Sequence, residues 1–146
     1  MSFVNKENTN NRPDGKYSDV IKDISESEIC PFCPEHLRSI HPKPITNETE
    51  FWLGSENAYP YDHTKHHMLV IHKAHIEHIR ELPPDAWVDL DRILEEIIEE
   101  REIQGATLIM RFGSTALTGA SVSHLHAQLV SGTGERDSPP VLARVG

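Results

Sequence analysis

Ser123-His124-Leu125-His126-Ala127-Gln128-Leu129-Val130 alternates side chains in the period of a β-strand, with His124, His126 and Gln128 on one side and Leu125, Ala127 and Leu129 on the other. Residues two apart on a strand stand roughly 6.5–7 Å apart, at a rise of about 3.3 Å per residue, so two imidazoles and a carboxamide form a row able to line a substrate's phosphates. A neutral imidazole is also a nucleophile near pH 7. A His-x-His taken alone is more often the wet side of a half-buried strand, so the rest of the chain has to decide between the two.

Upstream, Thr107-Leu108-Ile109-Met110-Arg111-Phe112 makes a second apolar strand, joined to the first by a turn containing Gly113 and Gly119. His67-Met68-Leu69-Val70-Ile71-His72 has the continuous apolar centre of a buried strand, and Phe51-Trp52-Leu53 starts another. Between them, Trp87, Leu90, Ile93, Leu94, Ile97 and Ile98 recur at helical spacing over Asp85–Gln104, with Gly105 placed as a stop. The prolines and Cys-x-x-Cys from Cys30 to Pro44 predict an irregular, knuckle-like stretch. Residues 1–28 are polar and are expected to form a mobile arm, and the tail from Ser131 to Gly146 is expected to be irregular. Non-consecutive strands beside one long helix predict an α+β domain over residues 29–146 with a mostly antiparallel sheet. Alternating βα units and a G-x-G-x-x-G or Walker-type loop are both missing, which disfavours a doubly wound nucleotide fold.

With 146 residues, the chain suits one domain and one site. A formal net charge of −9 argues against a broad nucleic-acid surface, since duplex binding is dominated by phosphate neutralisation. No apolar run approaches the roughly 18 residues of a bilayer span, and Met1–Arg12 lacks the layout of a secretory signal, so no membrane partner and a cytoplasmic location are expected. Two cysteines so close together are not a disulfide framework.

Cys30-Pro31-Phe32-Cys33 has the spacing by which two thiolates share one zinc ion, with the remaining ligands drawn from the histidines: His36 and His41 nearby, His75 and His124 at a distance. The rival is a redox pair, which normally sits where a strand feeds a helix. The acidic run Glu95, Glu96, Glu99, Glu100 and Glu102 reads as a solvated helix face, since no Glu-x-x-His accompanies it. His67 would share a strand side with Leu69 and Ile71, either as a satisfied core residue or as a buttress to the histidine strand. His75 falls just past the strand's end, where a ligand can turn toward a metal.

Three pieces in order, Cys30-x-x-Cys33, the block His67–His75 and Gly119-Ala120-Ser121-Val122-Ser123-His124-Leu125-His126-Ala127-Gln128, together resemble the histidine triad (HIT) superfamily. The resemblance covers about residues 29–132. It implies a five-stranded antiparallel sheet with one long and one short helix, a homodimer, and a nucleotide substrate attacked at its α-phosphate. By position, it implies structural zinc on Cys30, Cys33, His75 and His124, and His126 as nucleophile. It matches Ser121 to a phosphate-contacting position and Asn57 to a ribose-contacting one, although Asn57 could equally open a turn. Gln128 stands where most members carry a third histidine, and this form resembles the galactose-1-phosphate uridylyltransferase and diadenosine tetraphosphate phosphorylase branch. An amide can donate to a phosphoryl oxygen but cannot serve as general acid or base. Arg111 replaces a common Asn, and His66 and His72 replace the usual Gly and Pro. The expected activity is nucleotidyl transfer or phosphorolysis through a nucleotidyl-histidine. The alternatives are a dinucleoside polyphosphate hydrolase, a non-catalytic zinc-stabilised nucleotide-binding dimer module, and a thiol redox protein.

Overall fold

Antiparallel pairing organises the chain. In the computed structural model, which describes residues 2–9 and 16–146, five strands form one sheet: β1 (Ile45–Glu48), β2 (Trp52–Glu56), β3 (Thr64–His72), β4 (Thr107–Arg111) and β5 (His126–Gly132). Their spatial order is β1-β2-β3-β5-β4 and every pairing is antiparallel. Four α-helices are described rather than two: α1 (Lys16–Ser27), α2 (Pro34–Ile40), α3 (Pro84–Glu100) and α4 (Thr115–Thr118).

The long amphipathic helix α3 covers one face of the sheet. Its Ala86, Leu90, Ile93 and Ile97 bury against Trp52, Met68, Val70, Leu125, Ala127 and Leu129, so the apolar side of the histidine strand and the apolar stripe of the helix make one core. Gly54 on β2 allows this approach, because a Cβ there would lie 3.2 Å from Ile97 Cδ1 and 3.1 Å from Asn47 Cβ. The helix stops earlier than Gly105 suggests. Glu102 takes the left-handed turn at φ 52°, and Ile103 N–H reaches back to Ile98 carbonyl at 3.0 Å while Glu102 N–H reaches Glu99 carbonyl at 3.3 Å, a Schellman closure made without glycine.

The opposite face is covered in part by α2, whose Leu37 packs with Leu53, Leu69 and Ile71. The stretch expected to be irregular therefore contains a helix. Pro34 sits in its first turn, where a missing N–H costs nothing, and seven residues with one buried apolar side chain are too few to show a period. The polar stretch expected as an arm contributes Val4, Ile21 and Ile24 to a buried cluster with Val122, and Val4 forms a β-bridge to Val122. Residues 10–15 of that stretch lie outside the described residues. β5 begins at His126 rather than at Ser123 and runs into the tail as far as Gly132; residues 133–146 contain no helix or strand.

Candidate functional site

Two clusters meet where β5 begins. His124 precedes the strand, so it does not continue the row of His126 and Gln128 as the alternation suggested. Its ring turns to the end of β3, where Nε2 donates to His72 carbonyl at 2.5 Å, leaving Nδ1 as the lone pair. That Nδ1 lies 3.4 Å from Cys30 Sγ, 3.7 Å from Cys33 Sγ and 3.2 Å from His75 Nδ1. His75 Nδ1 in turn is 3.4 Å from Cys33 Sγ, and its Nε2 faces Glu77 at 3.5 Å. All four ligand atoms fall within 4.8 Å of one another, a candidate metal site. Each imidazole has its second nitrogen on an oxygen, the arrangement that orients a ligating histidine. Of the sequence-local candidates, neither His36 nor His41 belongs to this group. Burial and the neighbouring Cys30 push the Cys33 thiol up to about 12, opposite to the low value a redox thiolate requires.

His126 stands on the sheet face away from α3, beside Gln128. Its Nδ1–H donates to His124 carbonyl at 2.7 Å, so Nε2 holds the lone pair. Burial, with Arg111 adding to it against the His124 carbonyl bond, lowers its pKa to about 4, and the ring is neutral at physiological pH. Phe32 meets the ring edge-on at a centroid distance of 4.9 Å. His126 is 8% exposed and lines a cavity of about 990 Å³ together with Asn57, Ser121 and Gln128. Ser123 is elsewhere, its hydroxyl donating to Phe3 carbonyl at 3.0 Å.

His67 couples β3 to the site. Tyr61 N–H donates to its Nδ1 at 3.1 Å, which requires the hydrogen on Nε2. Nε2 then donates to Gln128 Oε1 at 2.5 Å. The Gln128 carbonyl is thereby engaged, and its amide NH₂ is the group left to face a ligand. Asn57 Oδ1 accepts Tyr59 N–H at 2.8 Å, the mark of a turn, and the residue also lines the cavity. Sequence reasoning did not place His41, Phe32 or Tyr61 at this cavity. His41 donates from Nε2 to Ser55 Oγ at 2.7 Å, and burial lowers its pKa; its signal was hidden because its position depends on α2. Lys73, just past the end of β3, pairs with Glu48 at 3.5 Å.

Residues 30–137 match the family described as scavenger mRNA decapping enzyme C-term binding. The chain belongs to this family, within the HIT superfamily. Among solved structures, a HIT family hydrolase from Clostridium thermocellum is 29% identical, with 79% of this chain and 98% of that chain covered at a TM-score of 0.56. A member of the HIT family from Bacillus subtilis is 28% identical over 82% of this chain and 84% of that one, at 0.57. A zinc-bound histidine triad protein from Mycobacterium smegmatis, 23% identical over 75% and 79%, at 0.57, shares the fold. A comparison with curated proteins finds no match. Membership of this family supports a HIT-type nucleotide-processing role. No helix among the described residues is long and apolar enough to cross a membrane.

Proposed function

We propose that this HIT protein cleaves or transfers a nucleoside monophosphate at the α-phosphate of a dinucleoside polyphosphate or nucleotide sugar. One observation carries the reading: a neutral imidazole, His126, has its Nδ1–H tied to a backbone carbonyl and its ring in the wall of a cavity large enough for a nucleotide. The Nε2 lone pair forms a P–N bond in line as the bond from the α-phosphorus to the bridging oxygen breaks, and the leaving group keeps that oxygen. An acceptor oxygen then attacks the phosphorus and the P–N pair returns to Nε2. Gln128 donates its NH₂ to a phosphoryl oxygen in both steps, Ser121 offers a further donor, and Asn57 holds the ribose. Since Gln128 moves no proton, the reading favours an acceptor or leaving group already ionised at neutral pH, as in phosphorolysis.

Water as the acceptor is the second reading. The 29% identical Clostridium thermocellum protein is a HIT family hydrolase, and the mRNA cap, on which a decapping enzyme acts, is itself a 5′–5′ dinucleoside triphosphate. For the metal site, two sulfurs and two imidazole nitrogens suit zinc. Zn–S of about 2.3 Å and Zn–N of about 2.0 Å in a tetrahedron give ligand separations of about 3.3–3.8 Å, close to the 3.2–3.7 Å of Cys30–His124, Cys33–His124, Cys33–His75 and His75–His124. Zinc there would stiffen the segment presenting His126 and take no part in the chemistry. We also propose a homodimer through the sheet edge at β4, where Leu108 is 46% and the adjoining Phe112 41% exposed.

Rapid acid–base quenching with α-labelled diadenosine tetraphosphate tests the central step. An acid-labile, base-stable adduct that vanishes in His126→Ala is the expected result, and an adduct that survives it overturns the assignment. Adding inorganic phosphate separates the two acceptors, since phosphorolysis alone releases a nucleoside diphosphate in its place. Binding without any turnover would select a non-catalytic module.

A further inference from the structure

Arg111 sits directly opposite His126 in the β4–β5 ladder, so the two side chains leave the sheet on the same face. Arg111 also lines the cavity. The partners it has there are neutral. Nε and Nη2 both donate to the carbonyl oxygen of Arg144, at 3.2 and 2.6 Å, and Nη2 lies 3.4 Å from the Tyr61 hydroxyl. Among the described ion pairs, none gives it a carboxylate. A planar fork with uncompensated charge matches phosphoryl oxygens, yet here one peptide carbonyl holds both prongs. That carbonyl belongs to a segment without regular structure, which runs along the cavity with Pro139, Leu142 and Arg144 in its wall. The segment is pinned at one point: Arg144 Nη1 donates to Glu7 carbonyl at 3.1 Å, and the Arg144 stem and carbonyl press so closely on Gly119 that a Cβ there would meet them at 3.0 and 3.2 Å.

We propose that Arg111 grips the transferred phosphoryl group beside His126, and that the Arg144 carbonyl is its stand-in, making segment 139–146 a strap that a phosphate-bearing ligand displaces. This rests on the nucleotidyl-transfer reading and adds to it a residue and a gate. The driving force is the exchange of a carbonyl's partial charge for a phosphoryl oxygen's larger one on the same two N–H groups. A nucleoside without phosphate offers nothing to Arg111, so it leaves the strap in place. As the P–N bond to His126 forms, Arg111 stabilises charge on the phosphoryl oxygens and transfers no proton.

The test uses the full chain carrying His126→Ala, so that ligand binds without turnover, with diadenosine tetraphosphate and adenosine as the two probes. Tryptic cleavage after Arg144, whose carbonyl Arg111 holds, is expected to speed up at least fivefold with the polyphosphate and to stay unchanged with adenosine. Titration calorimetry is expected to show Arg111→Gln weakening the polyphosphate at least tenfold while adenosine binds as before. Arg111→Lys, which keeps the charge but loses the fork, should fall between, and matched thermal unfolding midpoints show that both variants fold. Equal polyphosphate affinity in Arg111→Gln overturns the grip, and unchanged or slowed cleavage at Arg144 with the polyphosphate overturns the strap. If the His126 adduct forms but Arg111 variants bind normally, this proposal alone fails; if neither probe binds, it falls together with the transfer reading.

Discussion

His126 divides its two ring nitrogens between structure and chemistry, and that division makes definite predictions. Nδ1–H is spent on a carbonyl two residues back, so His126→Ala should reduce kcat by about 10⁴-fold or more, the scale of losing a nucleophile, in a steady-state assay with unchanged thermal melting. Its pKa, lowered from 6.5 to about 4 chiefly by burial, sets the acid limb. Protonation silences Nε2, so kcat/KM should hold through pH 5.5 and fall near pH 4, where an ordinary histidine would give a limb near 6.5. The same shift bears on stability: between these two values the unfolded chain binds the proton that the folded one refuses, so unfolding free energy falls as pH drops from about 6.5 to about 4. Urea titrations across that window check the sign. Gln128 depends on His67, whose Nε2–H holds its carbonyl. Gln128→Glu removes the donor and adds an anion beside the phosphate, and should cost about 3 kcal/mol in kcat/KM, the scale of one transition-state donor.

Among the elements, α3 and the sheet are joined by more than apolar packing. Asp89, buried on the helix, accepts Phe51 N–H at 2.8 Å at the start of β2. Asp89→Ala leaves that N–H without a partner and should destabilise the protein by about 1–3 kcal/mol in urea unfolding, with activity per folded molecule unchanged. The strands β2 to β5 and the long helix were legible because each is long enough to show its period. β1, with its polar Thr46, Asn47 and Glu48, and α2, with Leu37 as its one buried residue, carry no such pattern. Both form because neighbours supply what they lack: β2 pairs with one, and the far face of the sheet buries the other.

Over the whole molecule, the candidate metal centre ties together three distant parts of the chain, at Cys30–Cys33, His75 and His124. Burial keeps the Cys33 thiol protonated up to about 12 without an ion, so loading should release protons, and affinity should rise with pH. Chelation of the purified protein should liberate one zinc per chain by emission spectrometry and lower the thermal midpoint, and Cys30→Ser should do the same. A protein that melts identically with and without chelator would remove the structural role.

The local sequence determined which faces are apolar, and thereby the sheet, the long helix and the isolation of His126 and Gln128 from the core, because period-two and period-3.6 burial are properties of neighbouring residues. It also carried the Cys-x-x-Cys and His-x-His pairs. What it could not determine is which nitrogen of each imidazole is free, that His67 orients Gln128, or that Arg111 faces His126 with a carbonyl of residue 144 in its fork. The bonds of His124 to His72, His67 to Gln128 and Arg111 to Arg144 join residues 33–61 positions apart, and even the short-range bond of His126 to the His124 carbonyl depends on the backbone path that the fold imposes.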